Sequence, residues 1–158
     1  DELNEKLFKT LESIPNLKIL APNHKKRLSI FSFYVENTHF NLVVKLLNDR
    51  YGIQTRGGCS CAGTYGHFLL NVDQETSNKI KDQILEGCST EKPGWIRLSM
   101  HPTIKDSELD FICNSLKELC ENIDEWSSDY SYDTIKNDFV HKTVVPTEKE
   151  LVEGWFRI

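Results

Sequence analysis

Two cysteines one residue apart, Cys59 and Cys61, follow Arg56, Gly57 and Gly58 in the stretch TRGGCSCAGTYGHFLL. Gly57, Gly58, Gly63 and Gly66 surround the pair, so the backbone there reaches turns barred to other residues. Zinc needs about four ligands; Cys-x-Cys supplies two and His67 a third, and no second pair completes the set, so no metal is expected. A disulfide across one residue is disfavoured by geometry, and an odd count of five cysteines favours reduced thiols. A nucleophilic thiolate needs exposure and a nearby positive charge, which Arg56 and His67 can provide. An inert glycine turn needs nothing further. Spacing leaves these last two readings open.

Arg97 is the second residue with chemistry to offer. In WIRLSM, residues 95–100, Ile96, Leu98 and Met100 alternate with Trp95, Arg97 and Ser99, which puts the guanidinium on the sheet face opposite the core. There it is either a solvated surface arginine or a fork for a carboxylate, whose geometry a guanidinium matches with two parallel hydrogen bonds. Cys113 and Cys120 sit seven apart on an apolar helical stripe and read as small core residues.

The elements that must position these residues are legible in outline. Leu3, Leu7, Phe8, Leu11 and Ile14 have helical spacing up to Pro15. LKIL (17–20) and LSIFSFYV (28–35) read as strands, the second apolar on both faces as a strand buried on both sides would be. Asn37 or Thr38 is the expected cap of a helix carrying Phe40, Val43, Val44, Leu46 and Leu47. A short extended piece, 53–55, precedes the glycine-rich stretch, which is expected as a loop. Asp73 caps the next helix, with Ile80, Ile84 and Leu85 inward and Gly87 as its stop. The strongest helix carries Leu109, Ile112, Cys113, Leu116, Leu119, Cys120 and Ile123. Beyond Trp126 a polar, aromatic hairpin is expected around Asp133–Asp138, then a helix begun by Thr147 and Glu150 and carrying Leu151, Val152, Trp155 and Phe156. This order predicts an α+β fold with a small, mostly antiparallel sheet and helices packed on one face.

Totals narrow the function. A chain of 158 residues with net charge −5 is one domain's worth, and its scattered basic residues give no footprint for nucleic acid or an anionic membrane. No apolar run approaches the ~20 residues that span a bilayer. A cytoplasmic location is expected. The chain opens directly on a helix with hardly any leader, so it reads either as a complete small protein or as a piece cut from something longer.

Two stretches, GIQTRGGCSCAG (52–63) and GWIRLSMHPTIKDSELDFICNSLKEL (94–119), resemble the C-terminal small domain of the class V aminotransferases, which include cysteine desulfurases and selenocysteine lyases. The resemblance covers residues 1–125 in element order and implies the small domain of a fold type I enzyme, with 126–158 an extension docking on it or on a missing large domain. It puts Cys61 at the sulfur-accepting cysteine, Arg97 at the arginine that clamps the substrate carboxylate, and Arg56 at the arginine that opens the loop. Cys59 and Ser60 replace the family's paired histidines. Aminotransferase or epimerase chemistry without the cysteine, or a non-enzymatic thiol or metal module, are therefore the alternatives. The implied cofactor is pyridoxal phosphate, none of it bound to this piece. The implied partners are the large cofactor domain, an amino-acid substrate and a second copy of the intact enzyme. His24-Lys25 mimics the family's cofactor lysine, but no glycine-rich turn follows it, so the isolated chain is expected to be inactive.

Overall fold

A computed structural model describes residues 1–59, 63–88, 90–143 and Trp155. Helix α1 (Glu2–Ser13) buries Leu7, Phe8 and Leu11 and ends where Pro15 forces the residue before it out of the helical region; Ile14 is extended at φ −90°, ψ 113°. Strands β1 (Leu17–Ile19) and β2 (Ile30–Val35) pair antiparallel. Helix α2 (Phe40–Tyr51) stops at Gly52, whose φ of 67° suits glycine. Strand β3 (Arg56–Gly58), helices α3 (Gly63–Leu69) and α4 (Gln74–Leu85), strand β4 (Trp95–Ser99) and the long helix α5 (Asp106–Ser127) follow. Strands β5 (Tyr130–Asp133) and β6 (Asp138–His141) form a separate hairpin.

The main sheet has the order β1-β2-β4-β3 and is antiparallel throughout. The fold is α+β, as the element order predicts. Period-two alternation sorts each strand. Phe31, Phe33 and Val35 of β2 and Ile96 and Leu98 of β4 point into one core with Leu7 and Leu11 of α1, Val43, Leu46 and Leu47 of α2 and Leu109, Leu116 and Leu119 of α5. Three helices thus cover one face. Burying side chains of this size removes them from water at about 25 cal/mol per Å² of apolar surface, the largest favourable term in holding the sheet to its helices.

The opposite face is open, which corrects the expectation that β2 is buried on both sides. Ile30 is 43% exposed, Ser32 and Tyr34 are half-buried, and Leu28 lies before the strand at 91% exposure. Two further expectations change. His39 rather than Asn37 or Thr38 caps α2, its Nδ1 accepting from the Asn41 N–H at 3.1 Å; Asn37 takes up a left-handed turn at φ 56°. The glycine-rich stretch is not a plain loop, since it contains β3 and α3. Asp73 does cap α4, accepting from the Thr76 N–H at 2.7 Å, and Gly87 follows it at φ 85°. The stripe on α5 buries Cys113 and Cys120 as expected.

The hairpin packs on α2. His39 lies between Phe40, Tyr132 and Phe139, with ring centroids 4.5, 5.3 and 5.5 Å away. Tyr130 donates to Asp49 at 3.0 Å, and Arg50 lies 3.7 Å above Trp126 while pairing with Asp129 at 3.5 Å. The expected helix from Thr147 lies outside the described residues except for Trp155, which is 76% exposed.

Candidate functional site

Arg97 sits in the middle of β4, with Ile96 and Leu98 anchored in the core on either side. That anchoring drives its side chain to the open face. In the β3–β4 ladder its partner is Arg56. On the other flank, in the β2–β4 ladder, it is opposite Ser32. The open face therefore carries a row of Ser32, Arg97 and Arg56 across three adjacent strands, two cations of it side by side. Side chains directly opposed in an antiparallel pair have Cβ atoms about 4.5–5.5 Å apart, and like charges there are destabilising. No carboxylate among the described residues comes within ion-pair distance of either guanidinium. Folding brings the two cations together, and among the described residues no anion stands between them.

Steric fit holds this register. A Cβ on Gly57 would stand 2.8 Å from the Phe40 ring, and one on Gly94 would stand 2.4 Å from the same ring. Only glycine lets the first aromatic of α2 lie down on both strands, so Phe40 locks β3 against the start of β4. Gly58 then turns the chain at φ 117° into Cys59.

Two residues before Arg97, on the same strand face and so about 7 Å away, stands Trp95, which is opposite Gly58. Unlike Arg97 it is buried, at 5% exposure. Helix α3 covers it: a Cβ on Gly66 would lie 3.0 Å from its ring. Cys59 and Gly63, which bracket Cys61 in the chain, both line a cavity of about 280 Å³ over this tryptophan. Cys61 itself lies outside the described residues. His67 faces the same cavity, with its Nδ1 3.2 Å from Ser77 Oγ.

The other thiols divide by environment. Burial pushes the Cys120 thiol up to about 12. Cys88, beyond α4, lies 3.3 Å from Thr90 Oγ1, and that hydrogen bond lowers its pKa. Among the described residues no three histidine, cysteine or acidic side chains converge as a metal site would require.

Lys25 lies on the wrong side of the sheet to serve the arginine row. Its ammonium is 3.6 Å from Glu12 and 5.3 Å from the Phe8 ring centroid, beside α1 on the helix-covered face. Sequence reasoning found Arg97, Arg56 and the glycine-rich segment but missed the pairing of the two arginines. It also missed Trp95 as a buried residue of the open face. Strand register is a long-range property with no local signal; α3, by contrast, announces itself in Tyr65, Phe68 and Leu69 at helical spacing.

A family model described as aminotransferase class-V matches residues 1–112, which takes in both arginines, the Cys-x-Cys pair and the cavity over Trp95. No curated protein matches the chain.

Proposed function

The chain belongs to the class-V aminotransferase family, and on that premise we propose that it is the C-terminal small domain of a pyridoxal-phosphate enzyme acting on an amino acid. The observation that carries the proposal is the register of Arg97 against Arg56 on an open face. Two opposed cations with no anion beside them among the described residues are poised for a carboxylate from outside. Arg97, fixed by Ile96 and Leu98, supplies the two-pronged hydrogen bond, and Arg56 adds a second charge. Both would grip the substrate's α-carboxylate and set its orientation.

Pyridoxal phosphate supplies the electron sink of this family's chemistry. The described residues do not fit the cofactor by themselves, since Lys25 is ion-paired to Glu12 on the helix-covered face. The proposal assigns the cofactor's amine and phosphate cradle to a separate large domain lying over the open sheet. Closure of the two would exclude water from the carboxylate and its arginines, which strengthens that ion pair. In the intact enzyme the Cys61 thiolate, which follows β3 in the chain, would attack the side-chain sulfur or selenium of the substrate. As the new S–S or S–Se bond forms, the carbon–sulfur or carbon–selenium bond breaks, its electron pair stays with the carbon, and that carbon is then protonated. Family resemblance and Cys61's place four residues after Gly57 support this step. The working location would be the cytoplasm, and the assembly a dimer through the large domains.

In the intact enzyme, Arg97→Gln should raise KM for the amino acid by roughly tenfold to a hundredfold, the worth of a charged hydrogen-bonded contact. Cys61→Ala should abolish the protein-bound persulfide that mass spectrometry detects after exposure to L-cysteine. An unchanged KM overturns the carboxylate site. Persistent turnover without Cys61 leaves the class-V membership intact and moves the chemistry to transamination or epimerisation.

A further inference from the structure

We propose that the cavity between α3, α4 and Trp95 is a second binding site, for a small aryl carboxylate, separate from the arginine row. Its volume, about 280 Å³, compares with the roughly 150 Å³ apolar cavity that accepts benzene, so a ring with a short acidic arm has room. The walls are apolar: Trp95 forms one side, with Leu70, Ile80 and Ile84 around it. Such a surface, enclosed by two helices and a buried tryptophan, rewards a flat hydrocarbon body.

Charge decides the rest of the ligand. Lys81 on α4 and Lys92 before β4 both line the cavity, and neither has an ion-pair partner among the described residues. No described carboxylate lines it, in a chain whose acidic residues outnumber its basic ones by 24 to 19. Two unpaired ammonium groups beside an apolar chamber select an anion attached to hydrocarbon. Inorganic anions would lack the apolar contacts, and neutral hydrocarbons would leave the ammonium groups unanswered.

The test uses the whole chain carrying Trp126→Phe and Trp155→Phe, so that Trp95 is the remaining fluorophore. Titration with 3-phenylpropanoate should change its emission saturably. The neutral amide of the same acid should bind about tenfold more weakly, and Lys81→Met with Lys92→Met should erase that preference. Both lysines are surface positions on a stable frame, so the double variant should keep its circular dichroism. No saturable response overturns the site, as does equal binding of acid and amide. A response that survives the lysine changes but vanishes in Arg97→Gln places the ligand at the arginine row instead, and overturns the site while leaving the carboxylate reading standing.

Discussion

The two faces of the central sheet are built from the same strands, residue by residue in alternation, yet they answer to different requirements. Phe31, Phe33, Ile96 and Leu98 meet three helices and are at most 3% exposed. Their neighbours Ser32, Tyr34 and Arg97, joined by Arg56 across the ladder, meet no helix of the core. On the first face every residue is explained by contacts already made. On the second, two like charges stand opposed with no described carboxylate between them, an arrangement that costs stability. On the proposed function, a face that costs this chain stability is explained by the large domain proposed to lie over it.

Substitutions can break or sharpen that contrast. The largest effect belongs to the helix face. Phe33→Ala empties a fully buried site and should destabilise by about 3–5 kcal/mol, whereas Ser32→Ala beside it should stay within about 0.5 kcal/mol. Urea unfolding of the two variants measures the difference, and similar losses would mean that the second face is also packed. Next comes the seam that sets the register. Gly94→Ala drives a methyl group into the Phe40 ring and should cost about 1–3 kcal/mol. It should also loosen the β3 amides in hydrogen exchange before those of β1.

A smaller effect concerns the hairpin. Burial holds the His39 imidazole below its ordinary value of 6.5, and its buried Nε2 has no hydrogen-bond partner among the described residues. The unfolded chain therefore takes up a proton at this residue before the folded chain does. Stability from this source is whole above pH 6.5 and declines as pH falls below it. His39→Asn keeps a helix cap and removes the titration, so the pH dependence of the urea midpoint between about pH 5 and 7 should flatten. An unchanged slope would assign it to other groups.

The same contrast explains what could be read from the sequence. Helices α1, α2 and α5 were legible because helical spacing of Leu, Ile, Val and Phe is a local signal that burial enforces. Cys113 and Cys120 were legible for the same reason. Helix α4 was legible from its Asp73 cap and Gly87 stop, but of its expected inward residues Ile80 is buried while Ile84 and Leu85 are exposed. The Asp133–Asp138 hairpin followed from turn residues between aromatic pairs, and the open-face position of Arg97 from simple alternation. What escaped was relational. That Arg56 lies on a strand and faces Arg97 depends on how β3 and β4 align, which is fixed by Phe40 resting on Gly57 and Gly94, residues distant in sequence but joined in space. The cap on α2 was missed because histidine seldom serves there; its ring is held by Tyr132 and Phe139, from the far end of the chain. Short α3 was read as a loop because Gly63 and Gly66 outweighed the helical spacing of Tyr65, Phe68 and Leu69. Residues 60–62, Cys61 among them, lie outside the described residues, so the loop cysteine stands on sequence resemblance and on its bracketing neighbours.

The most direct measurement is the stability of Arg97→Gln in the isolated chain, with and without a small carboxylate such as acetate. Removing one of two opposed cations should leave the urea midpoint unchanged or raise stability by about 0.2–1 kcal/mol, and carboxylate should stabilise the parent chain but not the variant. A loss of stability on substitution, or an equal response of both proteins to carboxylate, would contradict the reading of Arg97 and Arg56 as an anion fork.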